Sequence, residues 1–345
     1  MKLLYINKIE TNKDWGLETF INRSLKQIGI ATICVDYQEN AYSLSQKLLE
    51  IEEDFDAVLL QRGCGYLIPS QILKAIQRPK FFLFTELVSR NPEQHYLLNS
   101  DLFEHIFLRS VPCIRSVISR SWLSENQASL VLSAIEPAFH YPIPNLGKDI
   151  DVLFVGTLLP RRKEIVQTLS NHFSVQACTA FNQEMITLFN RAKIVINLHG
   201  SEFPDTETRV YEALACRAFL ITETLSEENP FQNGVHLVEV KTIQEMIEAI
   251  AYYLKEPNER QIIAELGYQE VLQKHTFDHR SILIKNKIDS VLCSTKNLND
   301  PFNYYLLKRC IVKENLLEIK DKTLFKSRLA LSYVKRKFFL PLIKK

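Results

Sequence analysis

Residues 196–223 read INLHGSEFPDTETRVYEALACRAFLITE. An apolar run of strand length ends at Leu198, and a polar loop with Pro204 and Asp205 leads into a helical pattern over 207–215. A second apolar run, 219–222, follows that pattern directly. A strand, a helix and a second strand in this order predict one βαβ unit of a parallel sheet.

The same alternation extends over most of the chain. Strands are predicted at 3–6, 30–35, 57–61, 81–84 and 105–108, and again at 152–155, 173–177, 194–198, 219–222 and 237–240. The two series meet at 135–148, a segment with three prolines and a glycine that is typical of a linker. We therefore predict an α/β protein with two Rossmann-like, doubly wound domains, 1–140 and 149–292, facing a central cleft, and an extension over 293–345.

Composition narrows the classes of function. The 345 residues are 46% hydrophobic and carry a net charge of +2, which disfavours a broad nucleic-acid-binding surface. The seven cysteines form no CxxC pair, so neither a metal cluster nor a disulfide framework is expected. This use of cysteine indicates the reducing environment of the cytosol. No apolar run reaches the length of a signal peptide or a membrane span, so we expect a cytoplasmic protein.

Glycine and arginine positions point to an anion. Of only nine glycines, five lie at the predicted carboxyl edges of strands: Gly16, Gly63, Gly65, Gly156 and Gly200. Three cations, 161–163, stand at the predicted start of the helix after Gly156, where they oppose the helix dipole. A bound diphosphate would explain them, and a solvated basic turn is the alternative. No GxGxxG or Walker A sequence is present.

A second candidate lies in the helix of the quoted segment. Glu212 stands among apolar residues, where a carboxylate needs hydrogen-bond partners, and two vicinal sugar hydroxyls would supply them. The alternative is an intrahelical pair with Arg209, three residues earlier.

Four stretches of the second half resemble one family. In order they are a strand–glycine–Arg/Lys helix at 153–166, RVYEALACRAFLIT, FQNGVHLVEV and YYLKEPNERQIIAELGYQEVLQKHTFDHR. Together they resemble the carboxyl-terminal domain of group 1 glycosyltransferases, in particular the subset typified by the spore-maturation protein CgeB. In the first half, NKDWGLETFINRSLKQIG and FFLFTELVSR match more loosely. The resemblance implies the GT-B fold and transfer of a sugar from a nucleotide-sugar, without a bound metal or other cofactor.

The resemblance also implies roles for individual residues. Glu212 matches the glutamate that holds the donor ribose, and Arg162, or Arg161 in its place, matches the diphosphate-binding cation. Arg209 matches a recurrent arginine before that glutamate, and Gly16 matches a loop glycine near the donor phosphate. It further implies that the helix over 277–292 crosses back to the first domain.

Two positions depart from the family pattern. Pro204 stands where the retaining branch has a glutamate, with Glu202 and Glu207 nearby, and Arg217 stands where the family has a glycine. These departures favour a non-catalytic GT-B binding or scaffold protein as the alternative to an enzyme. A nucleotide-sugar epimerase is a third reading that lacks a recognisable acid/base pair.

Two further side chains are expected at the cleft. Glu86 follows a predicted strand of the first domain and is the candidate acceptor-side base, with a solvated or capping carboxylate as the alternative. His199 follows Leu198 and would face the donor, or be satisfied structurally.

The last 24 residues differ in charge from the rest of the chain. Segment 322–345 holds eight Lys/Arg and no acid, interleaved with apolar residues. This pattern suits an anionic membrane surface, on the inner face of the membrane for a cytoplasmic protein, and packing on the first domain is the alternative. The expected partners are thus a nucleotide-sugar donor, a glycan, lipid-linked or protein acceptor in surface polysaccharide or glycoconjugate synthesis, and this membrane surface.

Overall fold

A computed structural model describes residues 1–8, 15–37, 43–62, 68–201, 204–293 and 300–334. Its first sheet has six parallel strands in the order β2-β1-β3-β4-β5-β6. They are β1 (Lys2–Asn7), β2 (Ala31–Asp36), β3 (Ala57–Arg62), β4 (Lys80–Phe84), β5 (His105–Leu108) and β6 (Ala128–Leu130). Helices cover both faces, so the central strands are buried almost completely, as parallel sheets require.

The helices of this half connect successive strands. They are α1 (Leu17–Gln27), α2 (Leu44–Leu49), α3 (Ser70–Ala75), α4 (His95–Leu98) and α5 (Val111–Ser119). Helix α5 begins where the Ser110 hydroxyl accepts from the amide of Cys113 at 3.3 Å. Helix α2 ends at Leu49, before Glu50, Glu52 and Glu53, because acidic residues at the carboxyl end of a helix oppose its dipole.

The second sheet has five parallel strands in the order β11-β10-β9-β7-β8. They are β7 (Ile150–Val155), β8 (Val175–Cys178), β9 (Ala192–Asn197), β10 (Leu220–Glu223) and β11 (Val238–Val240). Its helices are α6 (Pro160–Ser170), α7 (Asn182–Arg191), α8 (Thr208–Ala215), α9 (Ile243–Lys255) and α10 (Pro257–Lys274). The prediction of two Rossmann-like, parallel-sheet domains is confirmed.

Helix α11 (Phe277–Leu292) returns to the first sheet, as predicted. Its buried residues Phe277, Ile284 and Ile288 belong to a core cluster built from β1, α1, β3 and β4. The chain crosses between the sheets twice, side by side. Ile135 donates its amide to the His275 carbonyl at 2.9 Å and accepts from the Phe277 amide at 3.0 Å. The two crossings are thus joined by a short parallel bridge.

Helix α12 (Tyr304–Val334) is the last element, and it packs against α2 and α3 of the first half. Its residues Leu307 and Cys310, together with Phe302, close the core on that face. The described part of segment 322–345 continues this helix as far as Val334; the remaining residues, 335–345, lie outside the described residues. Among the described residues, no helix is long and apolar enough to span a membrane.

Candidate functional site

The parallel strands of the second sheet end at one edge, and the predicted donor residues lie there. Gly156 directly follows β7, His199 lies two residues past β9, and β10 ends at Glu223. Helices α6 and α8 begin at the same edge, so Arg162 on α6 and Arg209 on α8 both lie beside the Gly156 loop.

Arg162 is the most buried of the candidate cations. Its Nε donates to the Leu198 carbonyl at 2.9 Å and its Nη2 to Glu207 Oε1 at 2.7 Å. Its guanidinium carbon also lies 5.7 Å from the ring centroid of Phe154. A buried guanidinium needs this kind of full hydrogen bonding to offset its desolvation. The side chain is therefore fixed, with its charge directed at the amino-terminal end of α8.

Arg209 approaches the same carboxylate from the other side. Its Nη1 donates to Glu207 Oε2 at 3.2 Å. Burial lowers the pKa of Arg209, and the charges of Glu207 and Glu212 act in the opposite direction, so the side chain stays cationic. Its buried Nε has no hydrogen-bond acceptor among the described residues. The ion pair of Arg209 is with Glu207, not the intrahelical pair with Glu212 that the spacing allowed.

Gly156 makes room for Arg209. A Cβ at this position would stand 2.9 Å from Arg209 Nη1, closer than real Cβ contacts allow. Its φ of 155° also lies in a range that favours glycine. The glycine therefore does not merely form a turn: it permits the guanidinium to lie against the backbone at the end of β7.

Arg161 has a different partner from Arg162. Both of its terminal nitrogens bind the Glu223 carboxylate, and Nη1 also donates to the His199 carbonyl at 3.2 Å. Burial raises the pKa of Glu223, but hydrogen bonds from Arg161 and from the His199 amide outweigh it and hold that pKa below its usual range. The pair lines a cavity of about 250 Å³ toward α9, together with Lys241 and Thr242.

His199 is buried against the end of β10. Its Nε2 lies 2.8 Å from the Thr224 carbonyl, and its backbone amide donates to Glu223 Oε2 at 2.7 Å. Its Nδ1 has no partner among the described residues. The ring is therefore held by the fold on one side and has an unused nitrogen on the other.

Glu212 lies on α8 one turn beyond Arg209 and is partly buried. Its Oε1 is 3.7 Å from Nε2 of His140, a buried residue of the linker. The His140 ring packs on Trp15, with centroids 5.2 Å apart, and Trp15 immediately precedes Gly16. Gly16 precedes α1 with a φ of 148°. The linker histidine thus connects Glu212 to the first-domain loop in which the sequence placed a donor contact.

The sequence assigns no role to His140, and it marks Glu207 only as a carboxylate near Pro204. The sequence signal for Glu207 was present: it lies directly before α8, a position where a carboxylate faces unpaired amides and nearby cations. His140 had no comparable signal, because its neighbours come from a tertiary contact.

Glu86 and three glycines complete the predicted set. Glu86 lies two residues past β4 and is half-exposed on the first domain. Its role as the acceptor-side base stays a prediction. Gly63 and Gly65 lie outside the described residues, as does Glu202. Gly200 lies next to Arg162, where a Cβ would stand 3.7 Å from Nη2.

Arg217 occupies a helix-terminating position. Its φ is 54°, the left-handed conformation common directly after a helix and easiest for glycine. The side chain turns to α10, where Nε lies 2.9 Å from Glu265 and the guanidinium 4.8 Å from the Tyr268 ring. The departure from glycine therefore costs about 1 kcal/mol of backbone strain and directs the side chain to α10.

The two domains meet across the cleft through polar contacts. Arg109 Nη2 lies 2.8 Å from Asp205 Oδ1, Arg90 donates to Ser201 Oγ at 2.9 Å, and Arg115 pairs with Glu227. Beside Arg109 lies a cavity of about 70 Å³ lined by residues of both halves. Among the described residues, no group of three or more His, Cys, Asp or Glu side chains is arranged to hold a metal ion.

Solved structures identify the class of fold. Sucrose-phosphate synthase from Thermosynechococcus elongatus superposes with a TM-score of 0.61 at 11% identity, covering 86% of this chain and all of the other. HepE from Anabaena, solved with UDP, gives 0.59 at 12% identity over 84% of this chain and all of the other. The T4 phage enzyme BGT, solved with its UDP-glucose substrate, gives 0.56 at 12% identity with the same coverage. The chain has the GT-B fold.

A family model adds sequence evidence for the second half. Residues 148–286 match the family described as glycosyl transferase-like. This range contains Gly156, Arg162, Arg209 and Glu212, so the match to this family includes the candidate donor residues of the second half. No curated protein matches the chain significantly.

Proposed function

We propose that this protein is a glycosyltransferase that moves a sugar from a nucleotide-sugar to an acceptor. The observation that carries the proposal is the convergence of Arg162 and Arg209 beside Gly156, with the buried Nε of Arg209 lacking an acceptor. Two guanidinium groups at the carboxyl edge of a parallel sheet suit a diphosphate, because each offers a planar fork of donors. The GT-B relatives solved with UDP or UDP-glucose support this assignment.

The remaining donor residues take complementary roles. Glu212 accepts hydrogen bonds from the ribose hydroxyls, and Nε2 of His140 lies 3.7 Å from its carboxylate. His199 offers its unused Nδ1 to the donor, and Gly16 brings the first-domain loop to the phosphates. Arg161, bound to Glu223, acts on the site through the His199 backbone.

Charge accounts for the expected catalysis. When the glycosidic bond to the diphosphate breaks, negative charge grows on the leaving group. Arg162 and Arg209 are already held beside the Gly156 loop, so their positive charges stabilise that growing charge once the diphosphate has replaced Glu207 as their partner. Because these two arginines supply positive charge at the diphosphate, we propose that transfer proceeds without a metal. Glu86 is the proposed acceptor-side base.

We also propose a subset of the family and a biological process for this protein. The resemblance of 209–222 and 252–280 to the CgeB-like subset supports membership there, and that family association supports a role in surface polysaccharide or glycoconjugate synthesis. The cationic segment 322–345 supports attachment to an anionic membrane surface, with glycan, lipid-linked or protein acceptors within reach.

Calorimetric titration tests the donor site. Purified protein is titrated with UDP, GDP, UDP-glucose and GDP-mannose in EDTA and again with Mg²⁺, alongside Glu212→Ala. Glu248→Ala, which removes an exposed carboxylate on α9, is the matched control. We expect saturable binding in EDTA that falls about tenfold or more in Glu212→Ala only. A folded protein that binds no nucleotide in either buffer overturns the proposal and favours a non-catalytic GT-B scaffold.

Hydrolysis or epimerisation of the bound donor in the absence of any acceptor would instead favour the epimerase reading. Product analysis of the same mixtures distinguishes an epimerase from a transferase, because the products show whether the donor has changed without an acceptor.

A further inference from the structure

Helix α12 has two chemically different faces. The inner face is buried on the first domain: Leu307 and Cys310 lie in the core, and Glu314 is buried with its Oε2 accepting from the Ser45 amide at 3.1 Å. The spacing of these residues places them along one side of the helix. The position of α12 is therefore fixed by packing, and its opposite side faces away from the protein.

That opposite side carries a stripe of large apolar residues. Tyr305 is 72% exposed, Val312 60%, Leu316 62% and Ile319 61%. Successive spacings of seven, four and three residues align them on a single face at 3.6 residues per turn. Single exposed apolar side chains are ordinary, but an aligned row over four turns of one helix is not. We call these four residues the outer stripe.

The charges beside the outer stripe are all positive in the described part of the helix. Four exposed cations flank it: Lys308, Arg309, Lys313 and Lys320. Of the three acidic residues up to position 321, Glu314 is buried on the inner face, Glu318 lies to the side, about a third of a turn from the stripe, and Asp321 occupies a position about half a turn from it. The sequence then continues with eight cations and no acid over 322–345.

We propose that the outer stripe is the docking face for an anionic lipid surface, with α12 lying parallel to the membrane. The apolar side chains enter the boundary between headgroups and acyl chains, and the flanking cations contact lipid phosphates. Charge decides against a second copy of the same helix, because two such faces would bring cations together without opposing acids. The inference rests on the proposed membrane attachment of 322–345 and names the face that makes it.

Helix length fits this arrangement. The 31 residues of α12 span about 46 Å, of which the outer stripe occupies the half nearest the folded domain. The same rigid packing that buries Leu307 would hold the first domain at a fixed distance from the lipid.

Vesicle flotation of the full-length protein tests the docking face. The vesicles are phosphatidylcholine alone or mixed with phosphatidylglycerol, at low and high salt. The double variant Leu316→Glu/Ile319→Glu is compared with Ile262→Glu, which alters a residue equally exposed, at 62%, on α10. We expect binding to the anionic vesicles that falls about tenfold or more in the double variant and is unchanged in Ile262→Glu.

A third variant separates the stripe from the tail. Lys335→Gln/Arg336→Gln/Lys337→Gln should weaken binding mainly at low salt, since it removes only charge. If this variant loses binding while Leu316→Glu/Ile319→Glu binds like the wild type, the stripe is not the docking face although membrane attachment stands. If the wild-type protein ignores both vesicles, the attachment itself is overturned. A dimer in sedimentation velocity that only the double variant abolishes, without vesicle binding, assigns the stripe to a second copy instead.

Discussion

Arg162 Nη2 donates a hydrogen bond to Glu207 Oε1 over 2.7 Å, although the two residues are 45 positions apart. The other oxygen of the same carboxylate accepts from Arg209. An internal anion therefore occupies the centre of the two-arginine arrangement. A diphosphate that binds these arginines has to compete with Glu207, because both ligands are anions that accept from the same guanidinium donors.

Replacing Glu207 by Gln should tighten nucleotide binding. The amide keeps the size of the side chain but removes the negative charge that competes with phosphate. Because hydrogen bonds between charged groups contribute about 1.5–3 kcal/mol, we expect UDP affinity to rise about tenfold in calorimetry. Glu227→Gln, at the exposed Arg115 pair, is the control and should leave affinity unchanged. Weaker binding in Glu207→Gln would mean that this carboxylate positions the arginines rather than competing with the ligand.

Gly156→Ala should displace Arg209. The new Cβ would stand 2.9 Å from its Nη1 at a backbone conformation that favours glycine. We expect a loss of about 1–3 kcal/mol in unfolding free energy from overpacking and strain, together with weaker UDP binding. Gly147→Ala is the matched control, since its Cβ would meet nothing within 4 Å. Unchanged UDP affinity in a folded Gly156→Ala protein would remove Arg209 from the donor site.

Gly267→Ala should damage stability without involving the ligand. A Cβ on this residue of α10 would overlap the carbonyl oxygen of His236 and lie 2.9 Å from Leu214 on α8. We expect the free energy of unfolding in urea to fall by about 1–3 kcal/mol or more, since backbone atoms cannot move aside cheaply. Stability equal to that of the wild type would show that α10 does not approach α8 this closely.

Glu314 makes the attachment of α12 depend on pH. Burial raises the pKa of its carboxyl, and the hydrogen bonds to Ser45 offset this only in part. Because the pKa of Glu314 is higher in the folded than in the unfolded protein, its carboxyl contributes to the free energy of unfolding at a pH below the ordinary glutamate range. That contribution is lost as the pH rises through the raised pKa. Glu314→Gln should therefore raise the melting temperature at neutral pH.

The melting temperatures of the wild type and of Glu314→Gln should converge as pH is lowered toward the ordinary glutamate range, because the carboxyl of Glu314 is then protonated in the folded protein. Differential scanning calorimetry over this pH range checks the trend. A lower melting temperature for Glu314→Gln at neutral pH would show that the ionised carboxylate stabilises the α12 contact.

The fold was largely predictable from local pattern. Buried parallel strands such as 81–84 are continuous apolar runs, and the helices between them carry their own period, so most elements can be predicted. Strand β6, Ala128–Leu130, was missed because a three-residue edge strand has no such run. Helix α5 was missed because its start depends on the Ser110 cap and few of its residues are buried.

The site was predictable only as a set of residue types. Gly156, Arg162, Arg209 and Glu212 stand at one edge because parallel strands end together. The position of Glu207 directly before α8 can be found from the sequence, but its contact with both arginines cannot, because that contact depends on which side chains meet in three dimensions. The same holds for the position of His140 beside Glu212. Arg217 illustrates the reverse case, since a change that looked disruptive in sequence is accommodated by a turn at the end of α8.

The bridge at Ile135 and the return of α11 have a consequence for how the protein is made. The core around β1 contains Ile284 and Ile288, which leave the ribosome only after the whole second sheet has been synthesised. The half that is translated first is therefore completed last. Until α11 is added, the apolar face of the first sheet on which this helix packs stays uncovered. A nascent chain stalled before α11 would therefore be a substrate for chaperones rather than a finished domain.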